Sequence, residues 1–224
     1  MDRMEIQSMQ IESIDILNYR LFKEASLMHL KRLAVLVGEN GAGKSTFFDV
    51  FSFLKDALAQ NVAKAVAKRG GFKELVSRGT EGPISIVLKF RETGKRLATY
   101  ELSVAFEGGK VVVDREVLKF RRGQRGQPWH FVDFSRGKGT AITNEAVYGE
   151  PGAKKERKEY ILDEPTVLAI KGLGQFKEFR VVSEFRNLIE NWHITDFHIA
   201  DARPSAEEGY AAHLRTRGVY VAQV

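Results

Sequence analysis

The sequence predicts an α/β fold: a strand–glycine loop–helix unit with an antiparallel β region inserted after it. Three observations point there. Leu33 to Val37 is an uninterrupted apolar run ending at Gly38, the pattern of a strand buried on both faces. Gly38-Glu39-Asn40-Gly41-Ala42-Gly43-Lys44-Ser45-Thr46 fits G-x-x-x-x-G-K-[ST] and leads into an apolar helical stretch. From Pro83 onward the apolar period becomes two, as half-buried strands require.

Taken in order, residues 1–8 read as a loose leader and residues 9–224 as one α/β unit. Met9 to Leu17 alternates as a strand does and ends at Asn18-Tyr19-Arg20. After the glycine loop (38–46), a helix is expected from Lys44 to about Gln60, with a further turn over Ala63 to Lys68. Gly70-Gly71 breaks it, and Phe72 to Ser77 forms another helical turn. Ile84, Ile86, Leu88 and Phe90 share one strand face; Ala98, Tyr100, Leu102, Val104 and Phe106 share another. Glu107-Gly108-Gly109 turns the chain into Lys110 to Phe120, a hairpin. Trp129 to Phe134 and Thr140 to Thr143 add shorter strands, so the inserted antiparallel region covers about 83–145. Gly149 to Glu159 reads as a polar loop. Phe176, Phe179, Val182, Phe185 and Ile189 recur at helical steps, which predicts an amphipathic helix over 175–192. Ile194 to Ala200 reads as a strand.

Composition narrows the classes of protein. Of 224 residues, 43% are hydrophobic, 29% are charged and 5 are Pro, which excludes disorder throughout. No apolar run approaches the roughly 18 residues of a membrane helix, so no membrane partner is expected. The first residues show no apolar signal core, and a cytoplasmic protein is expected. Without Cys there is no disulfide scaffold, thiolate metal site or cysteine nucleophile. A net charge of +6 permits an anionic partner such as a nucleotide or nucleic acid.

Each position of the glycine loop has a chemical reason. Gly38, Gly41 and Gly43 let the backbone wrap an anion with its amides inward and no Cβ in the way. Glu39, Asn40 and Ala42 complete the loop, and Thr46 sits in the first helical turn. The positive end of the helix adds to the field at a phosphate. Lys44 is the candidate catalytic residue, reaching the β- and γ-phosphates. The Ser45 hydroxyl is the natural ligand for Mg²⁺, which otherwise keeps several waters. A P-loop NTPase fold follows from this motif.

With Asn before its second glycine, the loop resembles that of ABC-type ATPases. Ile16-Leu17-Asn18-Tyr19-Arg20-Leu21-Phe22-Lys23 is similar to the N-[FY]-R-x-[FY] strand of the SMC/RecF/OLD branch of that class. Leu168 to Phe176 and Glu190-Asn191-Trp192-His193 resemble a subgroup of predicted AAA-family ATPases. The likeness runs from about Met9 to Leu214. It implies ATP with Mg²⁺ as the ligand, Arg20 near a phosphate, and hydrolysis in a head-to-head homodimer. It also implies that the signature, the Walker B carboxylates and a C-terminal lobe follow later. The apolar ending Val219 to Val224 adds to the expectation of an N-terminal portion.

Leu162-Asp163-Glu164-Pro165-Thr166 spells a Walker B ending, yet charged residues Lys154 to Glu159 lead into it. A carboxylate serving Mg²⁺ belongs at the end of a buried strand, so Asp163 and Glu164 are read as a surface turn. His29, His130, His193, His198 and His213 lack metal-ligand spacing, and Asp196, His198 and Asp201 form at most a weak cluster. Lys119, Arg121, Arg122, Arg125 and Trp129 make a basic hairpin that a DNA backbone could meet, or a solvated turn. Arg69 and Arg78 follow the helix, and the resemblance makes Arg78 a candidate regulatory arginine. Phe47, Phe48, Phe51 and Phe53 read as core. Gln60 is a poor match to a glutamine loop. Three functions stay open: an ATPase lobe, a nucleotide-dependent binding module without hydrolysis, and a self-contained phosphotransferase.

Overall fold

A computed structural model describes residues 9–31, 33–92, 97–120, 128–144, 154 and 156–193. The chain divides into two compact units, 1–190 and 191–224. The first is built on a single antiparallel sheet. Its strands are β1 (Met9–Tyr19), β2 (Phe22–Met28), β3 (Ile84–Glu92), β4 (Leu97–Glu107), β5 (Lys110–Phe120), β6 (Trp129–Ser135), β7 (Lys138–Ile142) and β8 (Arg157–Ile161). They lie in the order β2-β1-β3-β4-β5-β6-β7-β8. The helices are α1 (Lys44–Ala59), α2 (Val62–Ala67), α3 (Phe72–Leu75), α4 (Ala169–Leu173) and α5 (Arg180–Glu190). Among the described residues no helix is long and apolar enough to cross a membrane.

Period-two patterning sets the register. Ile14 pairs with Leu88 and Ile16 with Ile86 across β1 and β3, and Leu88 pairs with Tyr100 across β3 and β4. All five are buried, because one pleated face turns toward the helices. Phe185 of α5 closes that face, stacking on Phe90 and Tyr100 with ring centroids 4.6 Å away in each case. Gly108 and Gly109, with φ of 55° and 79°, make the tight β4–β5 turn that right-twisted strands favour.

The structure corrects four expectations. The antiparallel region is not an insertion: β3 pairs directly with β1, so the region continues the β1–β2 pair as one sheet. Leu33 to Val37 is not a buried strand. Leu33, Val35 and Val37 are 83%, 78% and 89% exposed, and no described strand pairs with them. An apolar run acquires strand structure only when neighbours supply both hydrogen bonds and cover. The polar stretch before Leu162 holds β8, a charged strand at the sheet edge, where charge discourages further pairing. The predicted 175–192 helix is shorter: α5 begins only at Arg180, and a separate short helix, α4, precedes the range, with Phe176 left 58% exposed in the turn between the two. Phe106, near the end of β4, is half-exposed, and its ring stacks on Phe72. The 1–8 leader and the Ile194 to Ala200 strand lie outside the described residues.

Candidate functional site

The glycine loop sits between the end of β2 and α1. Gly41 and Gly43 have φ of 85° and 90°, in the left-handed region that side chains resist. Gly43 is fixed twice over, because a Cβ there would lie 2.8 Å from Cε1 of Phe22. Phe22, the last aromatic of the Asn-Tyr-Arg-x-Phe stretch, is therefore the floor on which the loop rests. Glu39 O accepts from Ala42 N–H at 3.2 Å, which tightens the turn.

At Gly43 the helix begins without a side-chain cap, and its first turn holds no acidic residue. The first intrahelical bond of α1 runs from Phe47 N–H to Gly43 O at 2.9 Å. The amides of Lys44, Ser45 and Thr46 precede it, so the positive end of a 16-residue helix stays uncompensated. Lys44 Nζ folds over the loop, donating to Gly38 O and Glu39 O, each at 2.7 Å, and keeps a third N–H for a ligand. Gly38, Glu39, Asn40, Gly41, Ala42 and Ser45 are exposed, while Thr46 is buried. The donor set, the cation and the exposed hydroxyl of Ser45 fit a phosphate group with Mg²⁺.

The preceding stretch braces this loop. Asn18, buried and with φ of 58°, donates to Gly82 O at 2.9 Å and accepts from Ser77 N–H and the Thr80 hydroxyl. Buried Tyr19 donates to Asp49 Oδ2 at 2.7 Å. That burial, with the Asp49 charge, raises the Tyr19 hydroxyl well above its ordinary range. Arg20 Nε lies 3.2 Å from Asp49 Oδ2. Arg69, nearly buried, bonds Asp49 at 2.9 Å and Asp56 at 2.8 Å, and its guanidinium lies over the Phe53 ring.

A cavity of about 640 Å³ opens beside the loop, lined by Arg20, Lys23, Thr46, Lys73, Ser77 and Arg78 among others. Lys23, Lys73 and Arg78 have no ion-pair partner among the described residues. The sequence flagged Arg20 and Arg78 but missed Lys23 and Lys73, which no local pattern distinguishes from solvated surface lysines.

Other candidates fall elsewhere. Asp163 and Glu164 are exposed in the turn after edge strand β8. Their neighbour Thr166 accepts from Val62 N–H, just past the far end of α1. A 16-residue helix spans about 24 Å, so they stand roughly that far from Ser45. The surface-turn reading agrees with this placement. Arg69 is a structural cation. Trp129 is buried against Phe131 and Ile142, and Lys119 is paired with Glu101. Arg121, Arg122 and Arg125 lie outside the described residues. His130 bonds Asp133 at 3.1 Å. Among the described residues no group of three or more potential ligands gathers for a metal. His198, His213, Asp196 and Asp201 are outside them. Phe47 and Phe53 are core, whereas Phe48 is 48% exposed. Gln60 caps α1 through its backbone.

One buried carboxyl group escaped sequence reading altogether. Glu116 on β5 is fully buried, accepting from the N–H groups of Ala169 and Ile170 and from the Tyr100 hydroxyl at 3.1 Å. It supplies, from the sheet, the cap that α4 lacks in its own sequence.

A family model described as an AAA ATPase domain matches residues 9–192. A search among curated proteins found no match.

Proposed function

The chain belongs to the AAA ATPase domain family, a family of nucleotide-binding ATPases, and from that premise we propose that residues 38–46 bind ATP with Mg²⁺. The observation behind this reading is the uncapped, acid-free start of α1, wrapped by glycines that only a close-lying ligand or Phe22 would require. In this reading the loop amides and those of Lys44 to Thr46 hold phosphate oxygens. Lys44 moves its ammonium from the Gly38 and Glu39 carbonyls onto the β- and γ-phosphates. Ser45 offers its hydroxyl to Mg²⁺, which when bound neutralises charge on the phosphates. Arg20 meets a phosphate from the β1 side.

Hydrolysis also needs a carboxylate to polarise the attacking water. Asp163 and Glu164 stand a helix length away, so we propose that this group comes from outside the described residues. The SMC/RecF/OLD resemblance supports a head-to-head homodimer as the assembly in which it acts. An ATP-binding module without turnover is the second reading, favoured by that same distance.

Titration calorimetry tests the first step. ATP·Mg²⁺ binds wild type, and Lys44→Ala weakens it at least tenfold with the fold unchanged by circular dichroism. Equal affinity overturns the assignment. A phosphate-release assay separates the two readings. Turnover that disappears in Lys44→Ala supports the ATPase, and binding without turnover supports the module.

A further inference from the structure

Resting on that reading of the phosphate loop, we propose that Asp49 is a positioning residue: it aims Arg20 at the nucleotide's phosphates by charge while leaving the guanidinium's hydrogen bonds for the ligand. Three features of the structure lead there.

The first is the backbone of Arg20. Its φ is 49°, a left-handed conformation that residues with a Cβ resist. It is locked there from both sides, since Arg20 N–H donates to Leu75 O at 2.7 Å and Arg20 O accepts from the Ser77 hydroxyl at 2.8 Å. Only the side-chain torsions remain free, so whatever fixes them decides where the guanidinium points.

The second is the occupancy of Asp49. Oδ1 accepts from Arg69 Nε at 2.9 Å, and Oδ2 accepts from the Tyr19 hydroxyl at 2.7 Å. Arg20 approaches Oδ2 to 3.2 Å, yet its buried Nε makes no hydrogen bond. Buried N–H donors without acceptors are rare, because each one forgoes its bond to water. Arg20 is thus attracted but not satisfied. The local charge agrees: Arg69 bonds both Asp49 and Asp56, and Lys68 also bonds Asp56. Arg20 is the surplus cation of the cluster.

The third is position. Asp49 follows Ser45 by four residues on α1, which places it on the same helix face, about 6 Å along the axis. Arg20 and Thr46 line one cavity together with the unpaired Lys23, Lys73 and Arg78. A guanidinium held over Asp49 therefore faces a space with excess positive charge at the start of the helix. A phosphate oxyanion is the ligand such a space accepts.

A double-mutant cycle on ATP·Mg²⁺ affinity tests the proposal, with Lys44→Ala as the control. Asp49→Asn keeps the shape and one acceptor but removes the charge that aims Arg20. It should weaken ATP five- to tenfold in the wild-type background and less than twofold in an Arg20→Ala background. A purely structural role would give the same loss in both. Equal losses, no loss, or an Arg20→Ala chain with wild-type affinity each overturns the proposal. If Asp49→Asn does not fold, Tyr19→Phe replaces it: Oδ2 is then free to accept the Arg20 hydrogen bond and retain it. ATP should bind several-fold more weakly only where Arg20 is present, and unchanged affinity overturns the idea. Lys44→Ala separates the two levels. If it leaves ATP binding intact, the reading of the phosphate loop has failed. If it removes binding while the coupling is absent, only the role of Asp49 has failed.

Discussion

Glu116 makes the stability of this protein depend on pH in a direction opposite to that of most carboxylates. Burial pushes its carboxyl from an ordinary 4.5 up to about 7, against the opposing pull of the Ala169 and Ile170 amides and the Tyr100 hydroxyl. Between those values the folded protein keeps a proton that the unfolded chain has released. Stability is therefore greatest below about pH 4.5 as far as this group is concerned, and it is lost as pH rises through 7. At about 1.4 kcal/mol per pH unit, the interval is worth about 3 kcal/mol. For a unit of this size that lowers the melting temperature by roughly 6–12 °C. Glu116→Gln removes the titration but sets an NH₂ group against one of the donors, costing about 1–2 kcal/mol at low pH. Melting temperatures by circular dichroism at pH 5, 6, 7 and 8 should cross: the variant melts below wild type at pH 5 and above it at pH 8, where the roughly 3 kcal/mol lost by wild type exceeds the cost of the substitution. Parallel curves would refute the account, because then Glu116 exchanges no proton on unfolding in that range.

Three other outcomes follow from particular contacts. Gly43→Ala forces a Cβ to 2.8 Å from the Phe22 ring at φ of 90°, so it should lower stability by about 1–3 kcal/mol and weaken ATP binding, read by melting and calorimetry. Glu164→Gln should leave ATP affinity and melting temperature unchanged, since this exposed residue stands a helix length from Ser45; a loss of binding would place it in the site. Val35→Thr with Val37→Thr removes exposed apolar surface without touching the core. Light scattering should fall at equal concentration while the melting temperature holds.

Some of the fold was legible because one local rule decided it. The alternation in β3 has a single physical solution, with Ile84, Ile86, Leu88 and Phe90 on the covered face, and the structure adopts it. Gly43 was legible as well, since its motif states its backbone requirement. Leu33 to Val37 was misread for a definite reason: apolarity says that a segment is to be covered, not which residues cover it. Lys23, Lys73 and Asp49 were invisible as a set because the chain brings residues 20, 49, 69 and 73 together only by folding. Glu116 gave no sign either. In sequence it stands between Arg115 and Val117 like any strand carboxylate, and its burial depends on α4 arriving from fifty residues away.

These contacts also explain which part of the site is free to respond. The start of α1 is seated on Phe22 through Gly43, and Asp49 ties its second turn to Tyr19 of β1 and to Arg69. Its far end is held by Lys171 of α4, which donates to Ala59 O at 2.9 Å and Gln60 O at 2.6 Å and offsets the negative pole of the helix. Glu116 in turn caps α4 from β5. The helix behind the phosphate loop is therefore pinned to the sheet at both ends, and a ligand cannot gain by shifting it. What remains adjustable are side chains whose bonds are incomplete: Lys44, lodged on two loop carbonyls, and Arg20, attracted to Asp49 without a hydrogen bond. Binding energy spent on such groups aims charge at the phosphates and is not dissipated in moving the scaffold.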